Sequence, residues 1–243
     1  MRNDYEIIAS GSTGNAIILR DYILLDCGVP YSKIKDRVRE LKLVFISHIW
    51  IHKDHLLPPT IKKLAFERPN LKFCVGKFLV ETLVKLGVEK RNIFVLENGK
   101  KYDLGAIEVE PILLEHDVPN FGYKIIFKKD NYKVLYCVDT ATLDGIKARN
   151  YNLYLVESNY NKEELEQRII KKKQNGEFTY EDRVLNTHLS EEQWNKFMLQ
   201  NAGDNSECIK IHQHKERKEK NDNKWSNRKF KAIYKTRWNV SEL

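Results

Sequence analysis

The sequence predicts one mixed α/β domain whose strands end around a shared cavity, and three observations carry that expectation. Apolar runs of strand length alternate with stretches of helical period along most of the chain. Four of those runs close on a group with metal-ligand chemistry, at His48, His116, Asp139 and His212. After one of them comes Phe45-Ile46-Ser47-His48-Ile49-Trp50-Ile51-His52-Lys53-Asp54-His55, which places three histidines and an aspartate within eight residues. Strand ends surrounding one point are a common way to build a ligand cavity.

Residues 5–9 read as a strand that runs into Ser10-Gly11-Ser12-Thr13-Gly14-Asn15, where two glycines and small hydroxyl residues suit a tight turn. A phosphate cradle is conceivable there. No Gly-Lys-Ser/Thr follows, as a P-loop would require, so a strand-to-strand turn is the better reading. Residues 16–20 and 22–26 are apolar strands with almost nothing between them, hence a hairpin, and the second ends on Asp26. Residues 32–41 have a helical pattern with Ser32 as a cap, and 43–46 read as the buried strand that feeds the histidine loop.

Beyond that loop the pattern predicts a helix over 59–66, a strand over 71–75, a second helix over 77–86 and a short strand over 93–96. Three more strands follow over 106–114, 123–127 and 132–138, the first closing on His116-Asp117 and the last on Asp139-Thr140. Residues 153–159 form another strand with Glu157 near its end, and a charged helix begins near Lys162 and runs into Lys171-Lys172-Lys173. Ser190 then reads as the N-cap of a helix reaching Met198, and 208–212 is a last strand ending on a histidine.

Neutral imidazole and carboxylate are the ligands that zinc and manganese prefer, and a catalytic ion needs about three of them with one position left open. Any one of these residues has a bland reading as a satisfied polar group at a strand end. Their joint occurrence does not, because the whole chain holds only seven histidines.

No apolar run approaches the roughly 20 residues of a membrane span, and the first residues lack the apolar core of a signal peptide. A soluble, cytoplasmic protein without membrane contact is therefore expected. Cys27, Cys74, Cys137 and Cys208 stand singly in apolar surroundings, as reduced core cysteines do. The net charge of +8 is concentrated at one end: residues 213–243 carry ten lysines and arginines against four acids, interleaved with Trp225, Phe230, Tyr234 and Trp238. The expected division is a domain over 1–212 and a basic, aromatic-containing extension over 213–243. That extension reads equally as a phosphate-contacting, base-stacking segment or as a solvated end.

Together these motifs resemble the metallo-β-lactamase fold superfamily, and within it the small YycJ-like nucleases, cousins of ribonuclease J. The resemblance runs from Ala9-Ser10-Gly11-Ser12-Thr13-Gly14-Asn15 through Asp26, the histidine loop, His116-Asp117, Asp139-Thr140 and Glu157-Ser158-Asn159 to His188-Leu189-Ser190 and about His212. It implies an αββα sandwich, two mixed sheets packed face to face with helices outside, and one or two divalent ions, zinc or manganese, at the sheet edge. By position His48, His52 and His116 would hold one ion, and Asp54, His55 and His212 a second, with Asp139 between them. Asp54 would orient the attacking water, His188 and Ser190 would contact phosphate or assist the leaving group, and Asp26 and Glu157 would support the ligands from behind. One departure stands out. The superfamily loop reads His-any-His-any-Asp-His, and here either Trp50-Ile51 is a two-residue insertion or Trp50 replaces a ligand.

The expected function is a metal-dependent hydrolase, a phosphodiesterase or nuclease acting on DNA or RNA. Two alternatives remain at this point: a cyclic-nucleotide phosphodiesterase of the same fold, and a metal-poor binding module that kept the fold without the catalysis, as Trp50 would suggest. The partner is a nucleic acid or nucleotide substrate, and a homodimer is compatible with these features.

Overall fold

The computed structural model describes residues 4–49 and 54–213. Residues 1–3, 50–53 and 214–243 lie outside the described residues, and with them His52, the Trp50-Ile51 question and all but the first residue of the basic extension. The first six strands, β1 (Tyr5–Ala9), β2 (Ala16–Leu19), β3 (Ile23–Leu25), β4 (Leu43–Phe45), β5 (Lys72–Gly76) and β6 (Ile93–Leu96), form one sheet in sequence order. It opens with the expected hairpin, β2 antiparallel to β1 and β3, and continues as a parallel run from β3 to β6.

The second sheet mirrors this plan. It contains β7 (Tyr102–Asp103), β8 (Ile107–Leu114), β9 (Asn120–Phe127), β10 (Tyr132–Cys137), β11 (Leu153–Glu157) and β12 (Glu207–Ile211), in the order β12-β11-β10-β9-β8-β7. Strands β7 to β10 are antiparallel, whereas β10, β11 and β12 are parallel.

The two-residue period of the strands divides the core into layers. Ile17, Leu19, Leu25 and Phe45 face Tyr123, Ile125, Tyr136 and Val138 between the sheets. Their neighbours Ile18, Leu24, Val44 and Ile46 turn outward onto Ile61 and Leu64 of α1 (Pro58–Glu67) and Leu83 of α2 (Val80–Lys85). On the other side Leu135, Tyr154 and Val156 pack against Phe197 and Met198 of α5 (Glu191–Asn201). A smaller cluster joins Leu165 and Ile169 of α3 (Lys162–Gln174) to Val184 and Leu185 of α4 (Glu181–Thr187). The outcome is the expected αββα sandwich, in which strands buried on both faces read as unbroken apolar runs.

One expected element is absent. Residues 32–41 hold a 3₁₀ turn, Tyr31–Lys33, and no α-helix, and Ser32 lies inside that turn instead of capping it. The helical period there came from Ile34, Val38 and Leu41, which do anchor in the outer core. The segment meets that spacing with successive three-residue turns, Ile34 N–H to Tyr31 O, Arg37 N–H to Ile34 O and Glu40 N–H to Arg37 O. Helix α4, strand β7 and the first three residues of β9 went unread in the sequence, because each is short or polar. Among the described residues, no helix is long and apolar enough to cross a membrane.

Candidate metal centre

The site lies at the C-terminal ends of β3, β4, β8, β10, β11 and β12, where the two sheets meet. Three of its residues leave their strands with a left-handed backbone: Asp26 (φ 55), Asp139 (φ 52) and His212 (φ 51). Asp and His tolerate this region better than most residues, and the sharp turn swings each side chain into the space between the layers. Asn120 secures one of these turns, its amide donating to Val138 O at 2.8 Å and Asp139 O at 2.6 Å. The loop 54–55 is drawn against Gly28 so closely that a Cβ there would stand 1.6 Å from Asp54 O. Asn15 completes the junction, its N–H donating to Asp54 O at 2.6 Å and its amide nitrogen 3.1 Å from His55 Nε2.

The five described histidines share a polarity. Each has its Nδ1 against an oxygen: His48 with Ser47 Oγ (3.0 Å), His55 with Asp26 Oδ2 (2.6 Å), His116 with Thr187 O (3.2 Å), and His188 and His212 with Glu157 Oε1 (2.6 and 3.1 Å). A partner at Nδ1 fixes the ring and leaves Nε2 for another task, the arrangement typical of metal-ligating histidines. Toward the centre, Asp139 Oδ2 stands 3.3 Å from His48 Nε2 and 3.0 Å from His55 Nε2. Asp54 Oδ2 is 3.6 Å from His55 Nε2 and 3.8 Å from His212 Nε2.

These atoms fall into two groups able to hold a metal ion, Asp54-His55-Asp139-His212 and His48-His116-Asp139, which share Asp139. The donor set also fits an ion on its own terms. His48 Nε2, His212 Nε2 and Asp139 Oδ1 are buried without a hydrogen-bond partner, an expensive condition unless something else satisfies them. Asp139 Oδ1 does approach His212 Nδ1 to 2.7 Å, but that ring N–H is spent on Glu157. A third grouping able to hold an ion, Asp139-Glu157-His188-His212, is drawn together by the contacts of His188 and His212 with Glu157.

Electrostatics follow from the burial and the pairing. Burial alone would lower His55, but the Asp26 and Asp139 carboxylates outweigh it and raise its pKa to about 10. His188 and His212 are likewise raised against burial, chiefly by Glu157 and Asp139 respectively. His116 is lowered, mainly by burial. Asp54, Asp139 and Glu157 stay below the usual carboxylate range, because the surrounding histidines overcome the cost of burying their charge.

Of the residues singled out in the sequence, His48, Asp54, His55, His116, Asp139, His188 and His212 come together here, with Asp26 and Glu157 directly behind them. Ser190 lies beside the site but spends its hydroxyl as the N-cap of α5, in a capping box with Gln193. Cys137 is buried in the outer core and packs there. Sequence reading missed the roles of Asn120 and Tyr136, which touch the site only through the fold, and of Ser47, whose hydroxyl meets both His48 Nδ1 and Asp26 Oδ2.

An αββα sandwich carrying a histidine–carboxylate cluster where its two sheets meet defines the protein as one of metallo-β-lactamase fold. Solved structures it is similar to include the metallo-β-lactamase fold protein YhfI from Bacillus subtilis, at 17% identity and TM-score 0.65 over 86% of this chain and 85% of that one. Human short-form tRNase Z (ELAC1) follows at 15% and 0.61, over 88% of this chain and 93% of that one. A diphosphatase from the PhnP family stands at 12% and 0.57, over 86% and 85%. No family model matches. Among curated proteins, the cytidine monophosphate-N-acetylneuraminic acid hydroxylase of Gorilla gorilla gorilla is 32% identical over 119 residues, 48% of this chain and 20% of that protein. The inactive human counterpart is equally similar, over 23% of its length. The chain thus spans about a fifth of the length of these relatives.

Proposed function

We propose that the protein is a metal-dependent phosphodiesterase acting on nucleic acid. The observation that carries this reading is the pair of ligand groups joined at Asp139, one with His48 and His116 and the other with Asp54, His55 and His212. Two of the fold neighbours, a tRNase and a diphosphatase, act by their names on phosphate bonds, which favours the same class.

His52 would complete the first group from outside the described residues. Divalent ions held there, zinc or manganese, would supply Lewis acidity and lower the pKa of a water. Asp54, kept ionised by its histidine neighbours, would accept a hydrogen bond from the attacking water and orient it. His188 has the more open side chain, 14% exposed against 4% or less for His48, His55 and His212. With its Nδ1 proton held by Glu157, it would contact the phosphate or give up a proton to the leaving oxygen. Ser190 keeps its cap and would set the backbone beside His188.

Hydrolysis of single-stranded DNA and RNA with added manganese or zinc tests the proposal. Absence of cleavage by protein shown to hold metal would reject it. Cyclic nucleotides assayed in parallel test the second substrate class, and removal of the residues after His214 separates the two. A nuclease should weaken and lose part of its salt dependence, whereas turnover of a small substrate should survive. A cytoplasmic location would suit this reading.

A further inference from the structure

We infer that Tyr136 is a positioning residue for the metal centre, a hydroxyl sent across the sandwich from one sheet to fix the carboxylate that aims a histidine of the other. The inference rests on the reading of His55 as a metal ligand. Tyr136 lies on β10 in the second sheet, and Asp26 follows β3 in the first. The phenol donates to Asp26 Oδ2 at 2.6 Å, and the two residues are 1% and 0% exposed. That same oxygen meets His55 Nδ1 at 2.6 Å and the Ser47 hydroxyl at 2.9 Å, while Oδ1 accepts from Ser47 N–H at 2.7 Å.

A carboxylate with four donors has no freedom to turn, so the direction of the His55 ring is set by where Asp26 is held. The polar atom is not there to fill space. A phenylalanine would occupy the same volume, and the neighbours two residues away on the same side, Val134 in β10 and Val138 just past its end, are wholly apolar. A buried hydroxyl is retained without cost only if its hydrogen bond is made, and this one is made to the group behind a ligand.

The fold supplies its own control. Tyr123 on β9 is the cross-strand partner of Tyr136, is equally buried, and also reaches the first sheet, where it donates to Ile46 O at 2.6 Å. Both tyrosines tie the sheets together. Only Tyr136 ends on a carboxylate that touches a candidate ligand.

The test compares full-length wild type, Tyr136→Phe and Tyr123→Phe by zinc titration against a chromophoric chelator, by the absorption spectrum with cobalt(II), and by melting of the metal-free protein. Tyr136→Phe should weaken one metal equivalent about 10–100-fold, as loss of a group behind a ligand does, and alter the cobalt spectrum. Tyr123→Phe should move the melting temperature alone. Zinc affinity of Tyr136→Phe within twofold of wild type, or equal metal defects in both variants, would overturn the inference. Should Tyr136→Phe not fold, Asp26→Asn tests the one link through which Tyr136 can act, and zinc affinity unchanged there overturns the inference equally. A wild-type protein that takes up neither zinc nor cobalt would instead overturn the metal reading itself, and this role with it.

Discussion

Replacing Gly28 by alanine should disturb the fold and the site through one contact. The added Cβ would lie 1.6 Å from Asp54 O, 2.1 Å from Asp54 C and 2.8 Å from His55 N, all backbone atoms that no rotamer can move aside. To restore van der Waals contact the two segments must part by roughly 2 Å. That displacement breaks the hydrogen bond from Asn15 N–H to Asp54 O and strains those from Cys27 N–H to His55 O and from Gly28 N–H to Asn15 O. At about 1 kcal/mol for the bond lost and up to about 1 kcal/mol for each of the two weakened, Gly28→Ala should cost about 2–3 kcal/mol. For a chain of this size that is a fall in melting temperature of roughly 5–10 °C. Because His55 Nε2 lies 3.0 Å from Asp139 Oδ2, the same movement takes it out of reach of the shared carboxylate. Calorimetry of the metal-free protein and metal analysis after dialysis would read both effects: a lower melting temperature, and loss of the metal equivalent assigned to Asp54, His55 and His212. A variant that melts within 2 °C of wild type and keeps its full metal content would refute the reasoning.

Further outcomes follow from the same geometry. Asp139→Asn removes the group common to both ligand sets and, if the proposed phosphodiester hydrolysis is the activity, should lower it by at least about 100-fold, measured at saturating metal; retention of a tenth of that activity would show that Asp139 is dispensable. Asn120→Ala deletes two hydrogen bonds to the strained turn at Asp139 and should destabilise by about 2–3 kcal/mol in urea unfolding, with a matching loss of metal affinity. The pH dependence of the metal-free protein has a definite sign. His55 rises from 6.5 to about 10 on folding, so its contribution is complete below pH 6.5 and is lost as pH climbs through 10. His188 and His212 move the same way, whereas His116, lowered by burial, contributes above its ordinary value and less as pH falls. The metal-free protein should therefore melt lower at pH 10 than at pH 7, and a rise would contradict the pairing. Saturating zinc at about 1,000 times its dissociation constant should add about 4 kcal/mol, and a chelator should reverse it.

Much of this was legible in the chain itself. Strands 16–20, 71–75 and 132–138 announced themselves because a strand largely buried on both faces leaves a nearly continuous apolar run, whereas 106–114 alternates, with Glu108 and Glu110 between Ile107, Val109 and Pro111, because one of its faces is partly open. Ligand chemistry announced itself at His48, His116, Asp139 and His212 because polar groups directly after such runs stand out against their surroundings. The segment 32–41 misled for a related reason. Apolar spacing of three and four residues records which side chains face the core, and a chain of 3₁₀ turns serves that spacing as well as an α-helix does.

The sequence alone determined the order of elements, the choice of ligand types and the strand ends that carry them, since these depend on local periodicity and side-chain chemistry. The resemblance had put Asp139 between the two groups; only the tertiary structure decided that the five described imidazoles each set Nδ1 against an oxygen, and that Gly28, Asn120 and Tyr136 support the centre. Those relations join residues as far apart as Asp26 and Tyr136, and they exist because two sheets face each other across a shared apolar layer. A buried hydroxyl or a missing Cβ leaves no local pattern. It acquires a partner only when distant strands are packed against it.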